Sequence, residues 1–526
     1  MEISLIDLAL AFGLFGGAIV LILAGYPVAF TLPGTAILFA LLGSALGRFD
    51  LSYLTSLPMR YWGTLTNDVL IAVPLFVFMG VMLERSRIAE SLLDTMGRLF
   101  GELRGGLGLS TVLVAALLAA STGIVGATVI TMGLISLPAM LKAGYDRRLA
   151  TGLICASGSL AQVVPPSTVL VFLAVILQSA YSQAQMAQGN FAPDTLSVGD
   201  LFAGAFIPGL LIALLYAVWI MLIAFLRPSS APALGGHGLA GRGVLRRIVN
   251  NLLPALLLIV AVLGSIMAGI ATPTESAAVG AIGAILLAMI RALGEHFGRE
   301  WTPERVETVM FRFWTGFVTL TALAGATVGG VGVLTLLLVV LLAGCGVIAA
   351  TSPLRATFVA MLREVSLSSL LITCMVFTLF LGASVFSLVF ARLGGEELVT
   401  HFLSNMPGGE IGALCVVMFV MFLLGFFLDP FEIIFIVVPV AAPILLTMGV
   451  EPVWLAVMIG IILQTSYLTP PFGFSLFFLR SVAPKEVSTA DIYRGIVPFV
   501  GIQILCLVCV WAFPSLALWL PGLIYH

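Results

Sequence analysis

Two adjacent prolines, Pro165-Pro166, interrupt an apolar stretch long enough to cross a bilayer, GLICASGSLAQVVPPSTVLVF from Gly152 to Phe172. A second pair, Pro470-Pro471, interrupts a distant counterpart, VMIGIILQTSYLTPPFGFSLF from Val457 to Phe477. Proline has no N–H and collides with the carbonyl four residues back, so a Pro-Pro pair breaks a helix. In lipid the freed backbone groups must find partners, and a break survives only where protein encloses it or it lines a polar cavity. Broken apolar helices at matching places in two halves of a chain point to a transport site.

A bilayer is the setting because 61% of the 526 residues are hydrophobic and only 9% charged, whereas soluble domains carry about 25% charged residues. The apolar runs are long and continuous, which selects membrane helices over the alternating strands of a barrel. A net charge of −2 offers nothing to nucleic acid. Cys506 and Cys509 form a CxxC inside an apolar run, where packing is the simpler reading than redox or metal chemistry. The N-terminus has no basic leader and runs straight into an apolar segment, so no cleavable signal peptide is expected.

In chain order, 4–25 and 28–46 read as spans, 48–67 as a polar link and 68–83 as a third span. Ile88, Leu92, Leu93, Met96 and Leu99 then mark an amphipathic interfacial helix. Residues 107–141 read as a re-entrant hairpin with STGIVGAT at its tip, followed by the first broken helix, 149–180. Further spans fall at 201–226, 251–269, up to Ile290, and 367–390, the last after an amphipathic stretch with Arg355 and Arg363. A long run at 317–350 reads as two joined spans. A second hairpin at 411–446 bends at GFFLDPFE, the second broken helix covers 453–478, and 496–520 is a final span. This divides the chain into scaffold helices (1–105), a first hairpin and broken helix (106–181), connecting scaffold (182–410), a second hairpin and broken helix (411–480) and a terminal span (481–526).

The two hairpin units align at a constant offset of 305 residues, which pairs Pro138 with Pro443, Gly144 with Gly449, Pro165 with Pro470 and Pro166 with Pro471. Cytoplasmic loops collect Lys and Arg. Lys142, Arg147 and Arg148 follow the first hairpin, while the equivalent loop around Gly449 has none. The loop after the first broken helix has none, while Arg480 and Lys485 follow the second. The halves therefore point oppositely across the membrane, as in many secondary transporters. The fold class expected is an all-α polytopic membrane protein with inverted-topology repeats, each a re-entrant hairpin plus a discontinuous helix.

Several segments carry a resemblance: GYPVAFTLPGTAILFALLG (25–43), PLFVFMGVMLERSRIAE (74–90), ASTGIVGATVITMGLISLPAMLKAGYDRRLATGLICASGSLAQVVPPS (120–167), GIATPTESAAVGA (269–281) and LTPPFGFSLFFL (468–479). Together, and in order along most of the chain, they resemble the large membrane subunit of a tripartite ATP-independent periplasmic (TRAP) transporter. The resemblance implies an elevator-type carrier of the bacterial inner membrane, coupled to Na⁺. It also implies a small four-helix membrane subunit and a periplasmic binding protein that captures an organic acid. The run at 317–350 departs from shorter family members and reads as an inserted helix pair.

Na⁺ prefers oxygen ligands, which unwound carbonyls and hydroxyls supply. By resemblance, a first site forms where Ser121-Thr122-Gly123 meets the break at 161–166, with Thr122 and the carbonyls of Ala161 and Val164 as ligands beside Pro166. By symmetry a second lies between 427–429 and Ser466 to Pro471, with Thr469 as a ligand. The competing reading is that these hydroxyls bond back to their own helices. Asp429 either helps hold a cation or caps the next half-helix, and Glu275 is read as a cap. Substrate is expected between the breaks, where Ser157, Ser159, Gln162, Ser167, Thr168 and Gln464 offer hydrogen bonds and the half-helix N-termini suit a carboxylate. The four histidines fall in loops or at the terminus, and there is no Walker motif, so neither catalysis nor ATP hydrolysis is expected. The rival readings are a one-component Na⁺-coupled carboxylate or anion carrier of related fold, a membrane-embedded enzyme and a passive channel.

Overall fold

A computed structural model describes residues 5–86, 88–233, 248–297, 352–470 and 473–525. The run at 317–350, the prolines' last member Pro471, and Arg242, Arg246, Arg247, Arg299, Arg305 and Arg312 lie outside the described residues. Every regular element among the described residues is helical, and nine helices are long and apolar enough to cross a membrane.

The chain opens with α1 (Leu5–Leu23) and α2 (Val28–Ala45). The segment read from sequence as a polar link is helical instead: a tight turn at Leu51–Ser56 leads into α3 (Leu57–Leu65), which meets α4 (Asp68–Arg85) at a 55° bend. Asn67 sets that bend, because its side chain accepts from the N–H groups of Val69 and Leu70 and so starts α4 afresh. The amphipathic α5 (Ile88–Leu99) buries Ile88, Leu92, Leu93 and Met96, while Leu99 stays exposed. Then come α6 (Gly106–Thr122), α7 (Val125–Lys142), α8 (Arg147–Ser159), α9 (Thr168–Ala187), α10 (Val198–Leu226), α11 (Leu253–Met267) and α12 (Pro273–Phe297).

The amphipathic stretch and the span read at 355–390 are one continuous helix, α13 (Ser352–Arg392), because no helix breaker separates them. After it come α14 (Gly395–Ser404), α15 (Gly409–Leu424), α16 (Pro430–Thr447), α17 (Pro452–Leu468) and α18 (Phe474–Val482). The last span starts and stops earlier than expected. α19 (Thr489–Ala512) stops at Phe513, which adopts φ −127°, ψ 76° before Pro514, and α20 (Ser515–Tyr525) restarts beyond it. A residue before proline is pushed out of the helical region, and that ends α19.

The 305-residue offset recurs in the hydrogen bonds. α7 ends with Gly144 N–H on the Leu141 carbonyl and Tyr145 N–H on that of Met140. α16 ends with Gly449 N–H on Leu446 and Val450 N–H on Leu445, each 305 residues further on. Both glycines have positive φ, +84° and +107°, as this helix termination requires. Asp146 and Glu451, again 305 apart, cap the helices that follow.

Side-chain contacts fix the relative direction of the halves. α9 runs parallel to α16: Phe172 packs against Phe431 and Phe435 at their starts, and Gln188 Nε2 donates to the Thr447 carbonyl (3.0 Å) at their ends. Reciprocally α7 runs parallel to α18, with Gly126 against Phe478 and Gly133 against Leu479 and Val482. α8 returns antiparallel along α7, and α9 leaves the break to pack on α16, α4 and α17. So α16 points opposite to α7. One face of the protein collects the 143–146 turn and the loop after α18, joined by Arg147 Nη1 donating to the Glu486 carbonyl (2.8 Å). The other collects the loop after α9 and the 448–451 turn. All of Lys142, Arg147, Arg148, Arg480 and Lys485 belong to the first face, as an inverted repeat requires.

Candidate functional site

Both Pro-Pro segments break their helices. α8 unwinds through a tight turn at Leu160–Gln162 and resumes as α9 only at Thr168; α17 stops at Leu468 and α18 starts at Phe474. Each break meets the tip of its own hairpin. At the first, Thr168 Oγ1 donates to the Gly123 carbonyl (3.0 Å), and Ser167 Oγ donates to the Gln162 carbonyl (2.8 Å). The carbonyls of Ala161 and Val164 accept no hydrogen bond from another described residue outside their own turn. Val164 and Pro166 lie in the same unwound segment, and Ala161 is fully buried. Ser121 and Thr122 end α6 at this tip, and their side chains lie outside the described residues.

The second tip approaches its break closely: a Cβ on Gly425 would sit 2.1 Å from Ser466 Oγ. Here the hydroxyls turn back onto their own helix. Ser466 Oγ donates to the Leu463 carbonyl (2.8 Å), and Thr469 Oγ1 to that of Thr465 (2.7 Å). A hydroxyl that donates its proton keeps both lone pairs, so these bonds leave the oxygens free to accept or ligate. Asp429 is a cap: it accepts from Phe431 N–H (3.1 Å), while Glu432 accepts from Asp429 N–H (2.9 Å). Glu275 forms the same reciprocal arrangement with Thr272.

The residues offered to substrate lie in the interior. Ser157, Ser159, Gln162, Ser167, Thr168 and Gln464 are at most 2% exposed. Ser159 and Gln464, which are equivalent under the 305 offset, touch each other: Gln464 Nε2 donates to Ser159 Oγ (3.1 Å). The pseudo-two-fold axis passes through this pair. Two residues missed by sequence reasoning complete the cluster, since Gln503 Nε2 donates to Tyr216 OH (2.8 Å) and reaches Ser159 Oγ at 3.5 Å. The available signal was that Gln503 is the one amide in an otherwise apolar run of α19.

Two open cavities flank the repeat units, one toward each face. Both lie along α4 and α13. The smaller, about 660 Å³, lies between the ends of α4 and α12, the start of α13, and Thr131, Leu134 and Ile135 of α7. Glu84 of α4 accepts there from Thr131 Oγ1 (3.1 Å). The larger, about 1360 Å³, lies between the start of α4, the end of α13, α9, and Phe435, Pro439 and Val440 of α16. Leu134 and Ile135 become Pro439 and Val440 under the offset, so the cavities are equivalent. Phe172, Phe380, Phe431 and Phe435 interlock beside the larger one, with Phe380 4.8 Å from Phe435. None of the six residues proposed for substrate lines either cavity.

Comparison with known proteins matches residues 15–340 and 317–516 to the family described as tripartite ATP-independent periplasmic transporter, DctM component. Among curated relatives, the C4-dicarboxylate TRAP transporter large permease protein DctM of Vibrio cholerae is 27% identical over 96% of each chain. The ectoine TRAP transporter large permease protein TeaC of Halomonas elongata is 24% identical over 96% of this chain and 97% of its own. Among solved structures, the YdaH transporter of Alcanivorax borkumensis aligns at a TM-score of 0.48 with 15% identity, covering 89% of this chain and 88% of that one.

Proposed function

The chain belongs to the family of DctM components of tripartite ATP-independent periplasmic transporters, integral membrane permeases, and on that premise we propose that it imports an organic acid coupled to Na⁺. The observation that carries the coupling is the pair of unwound segments, each held against its own hairpin tip. At the first, no described residue outside the turn itself donates to the carbonyls of Ala161 and Val164. In a bilayer such oxygens need a partner, and a small hard cation supplies one without a buried carboxylate. Ligands at the first site are Thr122 with these carbonyls, beside Ser121 and Pro166. At the second they are Ser466 and Thr469, beside Pro471, with Asp429 shaping the tip as a cap.

A carboxylate-bearing substrate fits the relatives named for C4-dicarboxylates and ectoine, and the half-helix N-termini at Thr168 and Phe474 favour an anion nearby. Substrate reaches this region through the two equivalent cavities in turn, as α6–α9 and α15–α18 shift along α4 and α13. A small membrane subunit and a periplasmic binding protein complete the system.

The test is uptake into proteoliposomes holding this chain, its small subunit and the binding protein under a Na⁺ gradient. Wild type is expected to take up the organic acid only with Na⁺ outside. Thr122→Ala combined with Thr469→Ala is expected to abolish that uptake while the protein still elutes as a folded complex. Unchanged uptake would remove the site assignment, and uptake without any soluble protein would identify a one-component carrier instead.

A further inference from the structure

The two hairpin units meet the seam formed by α4 and α13 in different ways, although the 305-residue offset makes them equivalent. α16 packs directly on α13: Phe435 is 2% exposed and lies 4.8 Å from Phe380, and Ile436 beside it is buried. The matching positions on α7 are Ile130 and Thr131. Both are only half-buried, and Leu134, one turn on, is 58% exposed and lines the smaller cavity. That space of about 660 Å³ lies between this part of α7 and the ends of α4 and α12 and the start of α13. A hydrogen bond reaches across it, from Thr131 Oγ1 to Glu84 Oε1 (3.1 Å). Its two ends belong to different bodies, since Glu84 is the last residue but one of α4 and Thr131 lies within α7. The neighbouring cations are engaged on the α4 side: Arg85 pairs with Glu364 of α13 (2.7 Å), and Arg291 of α12 donates to Ser91 Oγ (2.9 Å). Ile436 has no hydroxyl, so the second unit cannot make the equivalent bond.

We propose that Glu84 is a positioning residue, whose hydrogen bond to Thr131 latches the first hairpin unit in the arrangement seen here and so sets the balance between the two positions of the moving body. The inference rests on the reading that α6–α9 and α15–α18 shift along α4 and α13. A slide of one helical turn covers about 5.4 Å. A hydroxyl donor and its acceptor must stay within roughly 2.5–3.0 Å of each other for a good hydrogen bond, so the latch opens whenever the unit moves. Hydrogen bonds to a carboxylate are stronger than neutral ones, and this one favours one position only. The Phe380–Phe435 contact is apolar and non-directional, so it carries no such bond to lose. The equivalence of the halves has α7 close onto the seam in the other position, as α16 does now, which covers Leu134. Neither Glu84 nor Thr131 belongs to the residues assigned to the ion sites, so Glu84 acts on where the unit sits and not on what it carries.

The experiment measures how fast a water-soluble maleimide reacts with single cysteines in the cysteine-free full chain, held in nanodiscs with its small subunit. Leu134→Cys reports on the smaller cavity and Ser387→Cys on the larger. Thr131→Val is expected to lower the ratio of the two rates about tenfold, as loss of a hydrogen bond to a charged group implies. Glu84→Ala is expected to do the same, and the double variant no more than either alone. Glu84→Gln keeps an oxygen for the Thr131 hydroxyl and is expected to stay within about twofold of the parent. An unchanged ratio in Thr131→Val, or additive effects in the double variant, would overturn the proposal, and Thr131→Val decides it alone where Glu84→Ala does not fold. The labelling needs neither substrate nor a Na⁺ gradient, so it is read apart from the uptake test. In proteoliposomes, joining Glu84→Cys to Thr131→Cys with a short bifunctional methanethiosulfonate is expected to stop uptake, and a reductant to restore it. Uptake that persists with the link in place would overturn this inference and spare the transport reading.

Discussion

Gly152 and Gly495 show how little room a single residue has in this interior. A Cβ on Gly152 would lie 2.1 Å from the Gly495 carbonyl oxygen, and one on Gly495 2.1 Å from that of Arg148. The backbones of α8 and α19 are therefore in contact, as small residues allow between membrane helices. Gly495→Ala is expected to destabilise the protein by about 1–3 kcal/mol, the usual cost of overpacking. Gly264→Ala, inside α11 where an added Cβ meets nothing within 4 Å, is expected not to lower the unfolding midpoint, while Gly495→Ala lowers it, in thermal unfolding of the purified protein. Asp429 supports a sharper test. As a cap it tolerates asparagine, which also accepts from a backbone N–H, so Asp429→Asn is expected to keep both stability and uptake. Asp429→Ala is expected to lose about 1 kcal/mol. Loss of Na⁺-driven uptake in the asparagine variant would show instead that the charge itself holds an ion.

At the scale of elements, each broken helix is held by its hairpin rather than by its own sequence. Thr168 Oγ1 on the Gly123 carbonyl is the bond that ties the start of α9 to the first tip. Thr168→Val preserves shape and removes it, at a net cost of about 1 kcal/mol. It is also expected to raise the Na⁺ concentration needed for half-maximal uptake, with the maximal rate less affected. An unchanged Na⁺ dependence would mean that the tip is positioned by packing alone. The aromatic cluster belongs to the same scale. Phe380 of α13 packs against Phe435 of α16, across the seam where a repeat unit meets α13.

For the whole molecule, the decisive relation is that the two repeats run in opposite directions. Single cysteines placed in a cysteine-free background at Lys485 and at Gln188 are expected to react with a membrane-impermeant maleimide from opposite sides, Lys485 from the cytoplasm. Labelling of both from one side would defeat the inverted arrangement and with it the pairing of equivalent cavities. The cavities sit along one continuous seam because α13 is a single 41-residue helix whose two ends each line one of them.

The local features were legible in the sequence because each has a local cause. Pro165-Pro166 and Pro470-Pro471 break helices wherever they fall, Gly144 and Gly449 end them, and the Lys and Arg bias of the loops gives orientation. The break at Pro514 is equally local and was overlooked, while the continuity of α13 turned on the lack of any breaker. What sequence could not supply was which side chains meet across elements. Asp429 reads equally as ligand or cap in the sequence, and the fold adds the capping bonds that it and Glu432 make. Gln503 stands out as the one amide in its run, but neither it nor Tyr216 names a partner in the sequence, and only the crossing of α19 and α10 over Ser159 and Gln464 brings the four together. The same crossing covers Ser159 and Gln464, two of the residues that sequence offered to a substrate, because burial depends on what packs against a helix, and spacing along the chain is silent on that.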